Sequence, residues 1–491
     1  MMNKSLLVSG GLLPAIRPQR CTRAGRRQLS LRARRRAGPS CDANRQQVSH
    51  KPAQQEETSS SVALSSSSLL RLLPSPIRSN LVSEFDARIF ALLIPALGSV
   101  FLDPLMAVVD TAIVGRLGTV PLGAVGLSNL VYFFTTVVFS FLLVVTTPRV
   151  AAAVAQDDLK EASVSTAQGL VIGLVFGVAL LLGLHAYAPA LLKGFGAQDD
   201  VLSQAVTHLR VRCLAAPAAV LLFVTNGAFR GFQDTRTPLK ALVAQNAVYL
   251  ALDLILVGWL GWGVAGAATA ASAGQYIGFL AMAAALVQRG SLDLGDLKIL
   301  PTPKQLGSTL LTGLALALCI GSVATSVLTA TSMASAMGAV TLGAHTAVKQ
   351  IIDFSQNIFG TFSTVGQTMV AACLGRNDRA TAQAAVKRIL QIGLALGLFT
   401  SVVLVLAQGP LISLFTSEAA VVAEARPIIP MLAFFLPLAP IACALEGVMT
   451  GSYEIAWIAA RTIIAAGISC SWLYLAAPRF LPGLQGVWVG F

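Results

Sequence analysis

Charge is what this sequence has least of. Asp, Glu, Lys and Arg make up 12% of its 491 residues, against 55% hydrophobic residues. Soluble domains carry about 25% charged residues. That shortage excludes an ordinary cytosolic enzyme, a disordered scaffold and a disulfide-rich secreted module. The seven cysteines (Cys21, Cys41, Cys213, Cys319, Cys373, Cys443 and Cys470) form no CxxC and no metal spacing. They read as small core residues. Neither HExxH nor GxSxG occurs, and no paired membrane Asp motif with Gly flanks is found, so an intramembrane enzyme has no chemistry to stand on. There is no GxxxxGK[ST], so ATP does not drive the molecule. Alternating strands of about 10 residues, the mark of an outer-membrane barrel, do not recur.

What is present is apolar length. Mean hydropathy is +0.73. Many apolar runs reach the roughly 20 residues that cross a bilayer as a helix. Eleven spans are expected, near 88–112, 122–147, 163–184, 207–229, 238–259, 264–287, 306–332, 341–370, 384–406, 427–449 and 458–479. Lys and Arg crowd the loops on the N-terminal side, among them Arg149, Lys160, Arg230, Arg236, Lys298, Arg376 and Arg388. Fewer stand on the other side: Arg116, Lys193, Arg426 and Arg479. This bias places the N-terminus on the cytosol-like side, the stroma in a plastid inner envelope.

The formal net charge of +13 misleads if read globally. Residues 1–80 hold 14 basic and three acidic residues, so the rest of the chain is close to neutral. A nucleic-acid partner is therefore rejected. The Arg- and Ser-rich, acid-poor segment 1–80 has the composition of an organellar transit peptide, cleaved before Asn80. Plastid and mitochondrion both remain open on this segment alone, as does a basic tail lying on anionic lipid.

The body repeats itself at an offset of 220 positions. Gly118–Ala124 matches Gly338–Ala344, Phe195 matches Phe415, and Pro217 matches Pro437. Gly227, Gly231 and Asp234 match Gly447, Gly451 and Glu454. The expected fold is an all-α polytopic membrane protein of two six-helix lobes, residues 81–295 and 296–491, related by an axis along the membrane normal. The register would start a twelfth span after Gly490, so the second lobe is expected to show five of its six helices, either because the sequence is incomplete or because this is an eleven-span variant.

These features resemble the multidrug and toxic compound extrusion (MATE) transporters, and within them the DinF-like branch with plant plastid members. Ile94-Pro95-Ala96, Asp110–Gly115, Leu122–Gly126, Asn226–Thr235 and Glu446-Gly447 carry the resemblance, over about residues 85–491. It implies a V-shaped pair of lobes exporting organic solutes against an inward flow of protons or sodium. No cofactor is expected, only the ion gradient, and the partners are a small organic solute, the coupling ion and the bilayer, with the protein a monomer. Motif matching places Asp110, Asn226 and Asp253 on the first lobe's ion-coupling network. The family's Asn four residues before the span-5 Asp is Tyr249 here, which puts sodium ligation in question.

An ionisable side chain inside a membrane costs about 2.5–3.5 kcal/mol on insertion scales and is a functional suspect by default. Asp110 is read as the proton or cation acceptor and Asp253 as its partner, against a helix-end acid and a structural acid respectively. Asp103-Pro104 reads as a kink in span 1, either bending with protonation or static. Gly227, Gly231 and Asp234 read as a turn closing span 4, structural and gating. In the second lobe span 7 has no acid, so coupling is assigned to the first. His345, Lys349 and Asp353 recur at four-residue spacing on span 8, either as a polar cavity stripe with Gln356 or as a neutralised Lys349–Asp353 pair. Glu446 either meets a cationic solute or supports Gly447. The expected function is secondary export of organic anions or drug-like cations in exchange for protons. The alternatives are a lipid-linked saccharide flippase of the same superfamily, which would show fourteen spans and a basic cavity, and a non-transporting scaffold.

Overall fold

Buried backbone groups find no water partners in lipid, so apolar runs of this length close their hydrogen bonds within helices. The computed structural model describes residues 85–491 except 198, 414–417, 477–478, 480–482 and 491. The segment read as a transit peptide, and Phe415 of the repeat, lie outside the described residues. The first six helices are α1 (Asp86–Gly115), α2 (Thr119–Ala155), α3 (Leu159–Gly194), α4 (Asp200–Gly231), α5 (Arg236–Trp259) and α6 (Gly263–Gln288). Then come α7 (Pro303–Ala336), α8 (Ala339–Gly375), α9 (Arg379–Leu406), α10 (Ala419–Phe435 and Leu438–Gly451, bent by 49°) and α11 (Ile455–Leu475). Among the described residues, ten helices are long and apolar enough to cross a membrane, or eleven with the bent pair as one span. Each expected span falls on one of them. A short helix, α12 (Leu484–Gly490), follows.

Helices overrun the expected boundaries because hydropathy ends at the first charge whereas a helix ends at a cap. α3 and α9 begin under Asp158 and Asp378, whose carboxylates accept the backbone N–H of Glu161 (2.9 Å) and Thr381 (3.0 Å). Such N-caps contribute about 1 kcal/mol each. Hydrogen bonds from Thr381 hold the Asp378 carboxyl below its ordinary value.

The 220-residue repeat is present in geometry. Asp157 and Asn377 both take φ 57°, and Gln233 and Tyr453 take φ 58° and 64°. Gly118 and Gly338, at φ 119° and 114°, open α2 and α8 in a conformation that L side chains avoid. Inside the membrane, helices associate where small residues let backbones approach. A Cβ on Gly227 would lie 2.9 Å from the Leu143 carbonyl oxygen, and one on Gly447 would lie 2.1 Å from that of Ser363. Hence Gly227 and Gly231 are where α4 packs on α2, and Gly447 and Gly451 are where α10 packs on α8.

The linker between the halves is fastened to the first. Asp296, buried, accepts from Lys160 (2.5 Å) and Ser163 (2.7 Å). Lys160 foremost, then Ser163, holds that carboxyl below its ordinary value. The first turns of α1 instead join the second half. Ile89, Leu92 and Leu93 pack with Phe362, Val365, Met369 and Ile389. Beside them Arg388 grips Asp86 with two hydrogen bonds of 2.6 and 2.8 Å.

Candidate coupling and solute sites

α1 runs unbroken through Pro95 and Pro104. Asp103 lies on it, but its side chain is outside the described residues. Two turns further, Asp110 presents a carboxylate whose Oδ1 is buried without a hydrogen-bond partner. The Tyr249 phenol of α5 and the Arg212 guanidinium of α4 face it. One turn beyond Tyr249, Asp253 ends the regular part of α5. It is 1% exposed, and neither of its oxygens has a hydrogen-bond partner. Asp110 acts on it through space. The backbone then widens into a π-helix over Leu254–Trp259, a feature frequent at functional sites.

A cavity of about 210 Å³ opens on this cluster, lined by Asp110, Arg212, Gln245, Asn246, Tyr249 and Gln275 among others. Arg212 is held on two sides. It donates to Gln275 Oε1 at 2.9 Å, and its guanidinium carbon lies 4.3 Å from the centre of the Tyr132 ring. Tyr132 also donates to Gln275 Oε1, at 2.9 Å. Arg212 Nε is left without a partner. Beside them His208 and Ser128 share a buried hydrogen bond of 2.7 Å.

Of the residues read as ion-coupling, the structure brings Asp110, Tyr249 and Asp253 together. Asn226 lies elsewhere. Its amide donates to the Leu222 carbonyl (2.8 Å) and it lines a second cavity, of about 260 Å³, where α1, α4 and α5 meet α8. The sequence reading passed over Arg212, Gln275, Tyr132 and His208. The available signal was an Arg five residues inside an expected span.

Asp234 forms the turn expected of it. Its carboxylate accepts the backbone N–H of Arg236 (2.8 Å) and Thr237 (3.0 Å) and the Thr237 hydroxyl (2.6 Å). It also pairs with Arg289 at the end of α6 (2.6 Å). Burial pushes its carboxyl up, but the hydrogen bonds from Thr237, Arg289 and the two amides outweigh burial and hold it low.

In the second half, Lys349 and Asp353 form an ion pair, the neutralised alternative of the two. His345 is buried, with Thr331 at 3.3 Å and the Trp488 ring at 5.2 Å between centroids. Gln356 stands near Cys443 of α10, 4.0 Å from its sulfur. These four line neither of the two cavities. Glu446 approaches Arg461 of α11 to 3.9 Å, directly before the close approach of Gly447 to α8.

The family model MatE matches residues 95–255 and 314–475, two stretches separated by about the repeat offset. The chloroplastic protein DETOXIFICATION 44 of Arabidopsis thaliana is 30% identical over 425 residues, 83% of this chain and 80% of that protein. DNA damage-inducible protein F of Escherichia coli is 31% identical over 214 residues, 43% of this chain and 47% of its own length. A crystal structure of MATE in the bent conformation superposes with a TM-score of 0.76 at 23% identity, covering 86% of this chain and 92% of that one.

Proposed function

Because the chain belongs to the MatE family of multidrug and toxic compound extrusion transporters, we propose that it is an antiporter that exports small organic solutes in exchange for protons. One asymmetry between the halves carries this reading. The second-half acids Asp353 and Glu446 each stand beside a basic side chain, Lys349 and Arg461. In the first half, Asp253 keeps both oxygens without a donor and Asp110 keeps one. A buried carboxylate without donors holds its charge at a cost that one proton removes. Asp110, Asp253 and Arg212 together carry one net negative charge, so a single proton neutralises the cluster. Alternating access to the two sides would then follow whether that proton is present.

Tyr249 supports a proton over sodium. Its phenol donates one hydrogen bond and offers a single oxygen, where an amide would offer a carbonyl ligand. The names of the plant relatives and the basic N-terminal segment support a plastid envelope, with the N-terminal side of the spans at the stroma. The protein is proposed to work there as a monomer.

The test is flux in proteoliposomes carrying the chain without residues 1–80. A pH gradient should drive a labelled panel of organic cations and aromatic carboxylates, a sodium gradient should not, and Asp110→Asn and Asp253→Asn should each abolish the flux. Folded protein that moves no solute under a pH gradient would overturn the reading.

A further inference from the structure

The outer face of α4 carries a cation that the coupling cluster does not use. Arg212 points inward, to Asp110, Gln275 and Tyr132. Arg210, two residues earlier, stands on the opposite side of the helix and is exposed. Among the described residues no carboxylate pairs with its guanidinium. Thr207 and Ser203 lie on the same face, one and two turns nearer the start of α4. Both give their hydroxyl hydrogens to the helix backbone, at the carbonyls of Ser203 (3.1 Å) and Asp200 (3.0 Å). On the other side of Arg210 the face turns apolar at Leu214, which is 50% exposed.

The depth of Arg210 follows from the neighbouring helix. Trp259 and Trp262, 86% and 55% exposed, mark the water–lipid boundary at the turn between α5 and α6. The Ser272 hydroxyl of α6 approaches the Val211 carbonyl of α4 to 3.5 Å, so the two residues are level. Ser272 lies nine residues beyond Gly263, the start of α6, a rise of about 14 Å. Arg210 is therefore rooted below the headgroups, in the hydrocarbon. Side chains tilt toward the helix N-terminus, which sends its guanidinium back toward the Trp259–Trp262 surface. A charge at this depth is costly unless an anion meets it.

α3 and α6 wall a groove over this face. His185 of α3 flanks it, with its Nδ1 4.0 Å from the sulfur of Cys213, one turn from Arg210. On the other flank Tyr276 of α6 donates to the Leu214 carbonyl at 2.9 Å. Toward the N-terminal side the groove is shut, because α3 crosses directly on α4 there. A Cβ on Gly177 would lie 2.5 Å from the Pro217 Cα, and Pro217 and Ala218 are buried. Inward from His185, Leu182, Val178 and Leu174 are exposed at four-residue spacing along α3. The groove thus offers a cation and an imidazole near its mouth and an apolar track along its wall. A soluble anion would leave that track bare, whereas a lipid covers both.

We propose that this groove binds an anionic glycerophospholipid from the leaflet opposite the N-terminal side. Arg210 holds its phosphate with His185 alongside, and one acyl chain follows Leu182, Val178 and Leu174. The planar guanidinium matches two phosphate oxygens at once. The bound headgroup pins the stretch of α4 that also presents Arg212 to Asp110.

The test uses the full chain in nanodiscs of phosphatidylcholine with phosphatidylglycerol as a minor component. Each lipid in turn carries a diazirine on one acyl chain, and the labelled peptides are mapped by mass spectrometry. Phosphatidylglycerol should label segments 174–182 and 210–218 about 10-fold more per mole than phosphatidylcholine does, the effect of one charge-assisted contact. Arg210→Gln should erase that preference, and Arg210→Lys should keep part of it. Thr207→Asp retains Arg210 but sets a carboxylate one turn away, and should erase it too, so the outcome does not hang on the folding of one variant. Lys193→Gln, which removes an exposed cation from the end of α3 on the same side, should label as the parent does. Equal labelling by the two lipids would overturn the proposal, as would a preference that survives in both Arg210→Gln and Thr207→Asp. A loss of the same size in Lys193→Gln would reduce the effect to surface charge and overturn it. Displacement by added glycerol phosphate would reveal a site for soluble anions and overturn it as well.

Discussion

Replacing Asp253 by Asn separates a coupling carboxylate from a structural one, because the two roles predict opposite changes in stability. A structural acid is held by donors, and removing its charge leaves those donors empty. Asp253 is 1% exposed and both oxygens lack a donor. A buried polar group in that state costs about 1–3 kcal/mol by mutational comparison. An isosteric amide removes the charge and keeps the packing. Stability should therefore stay level or rise, by up to about 3 kcal/mol, a few degrees in unfolding temperature. Proton-driven flux should be lost in the same protein. Asp110→Asn should behave differently, because it leaves the Arg212 guanidinium without the acid that faces it. Uncompensated buried charges are strongly destabilising. Asp110→Asn should lower the unfolding temperature, and adding Arg212→Gln should recover part of the loss. The assay is monodispersity of the full chain in detergent after a heating ramp, read beside pH-gradient flux. A clear fall in stability for Asp253→Asn would show that Asp253 is a structural partner and refute the coupling role derived from its orphaned oxygens.

The other predictions concern the turn after α4 and the helix contacts. Asp234→Asn should cost about 1–3 kcal/mol, since it breaks the pair with Arg289 and weakens three hydrogen bonds to a charged acceptor. Its folded value is held below the ordinary 3.8, so this contribution is complete above 3.8 and disappears as pH falls through the lower folded value. Acid unfolding curves of parent and variant should therefore converge only in that acid range. Gly447→Ala should destabilise by about 1–3 kcal/mol, because the added Cβ would meet the Ser363 carbonyl oxygen at 2.1 Å. Gly467→Ala, in α11 with nothing within 4 Å of the new atom, should be neutral or stabilising by up to about 1 kcal/mol. Equal effects of the two alanines in a thermal ramp would contradict the packing account.

Reading the chain for spans worked because each apolar run is long enough to be unambiguous, and because one offset governs both halves. Pro217 and Pro437 illustrate the point. The sequence pairs them, and each stands at the end of an irregular turn, 213–215 in α4 and the break in α10. Boundaries were less visible, since Asp158 and Asp378 start helices in segments that hydropathy scores as loop. Arg212 was hidden for a related reason. One Arg does not stop α4 from being apolar enough to cross a membrane. Asn226 shows a further limit. A motif match fixes its place along α4, but the cavity it lines is set by how α8 packs across the seam.

The two halves are built alike in their caps, turns and glycine contacts, and differ in where the acids of their spans find partners. Sequence alone showed the first similarity and one part of the difference, the missing acid in α7. Side-chain pairing supplies the rest. Lys349 and Arg461 place a cation beside Asp353 and Glu446, so taking up a proton on either would mean breaking an ion pair first. In the first half the cation that faces Asp110 among the described residues is Arg212, itself tethered to Gln275 and stacked on Tyr132. One cation against two carboxylates leaves one charge to be met. On the proposed antiport, the repeat would supply two similar lobes for opening and closing while the first lobe alone responds to the proton, an asymmetry produced by a few side chains on a shared backbone plan.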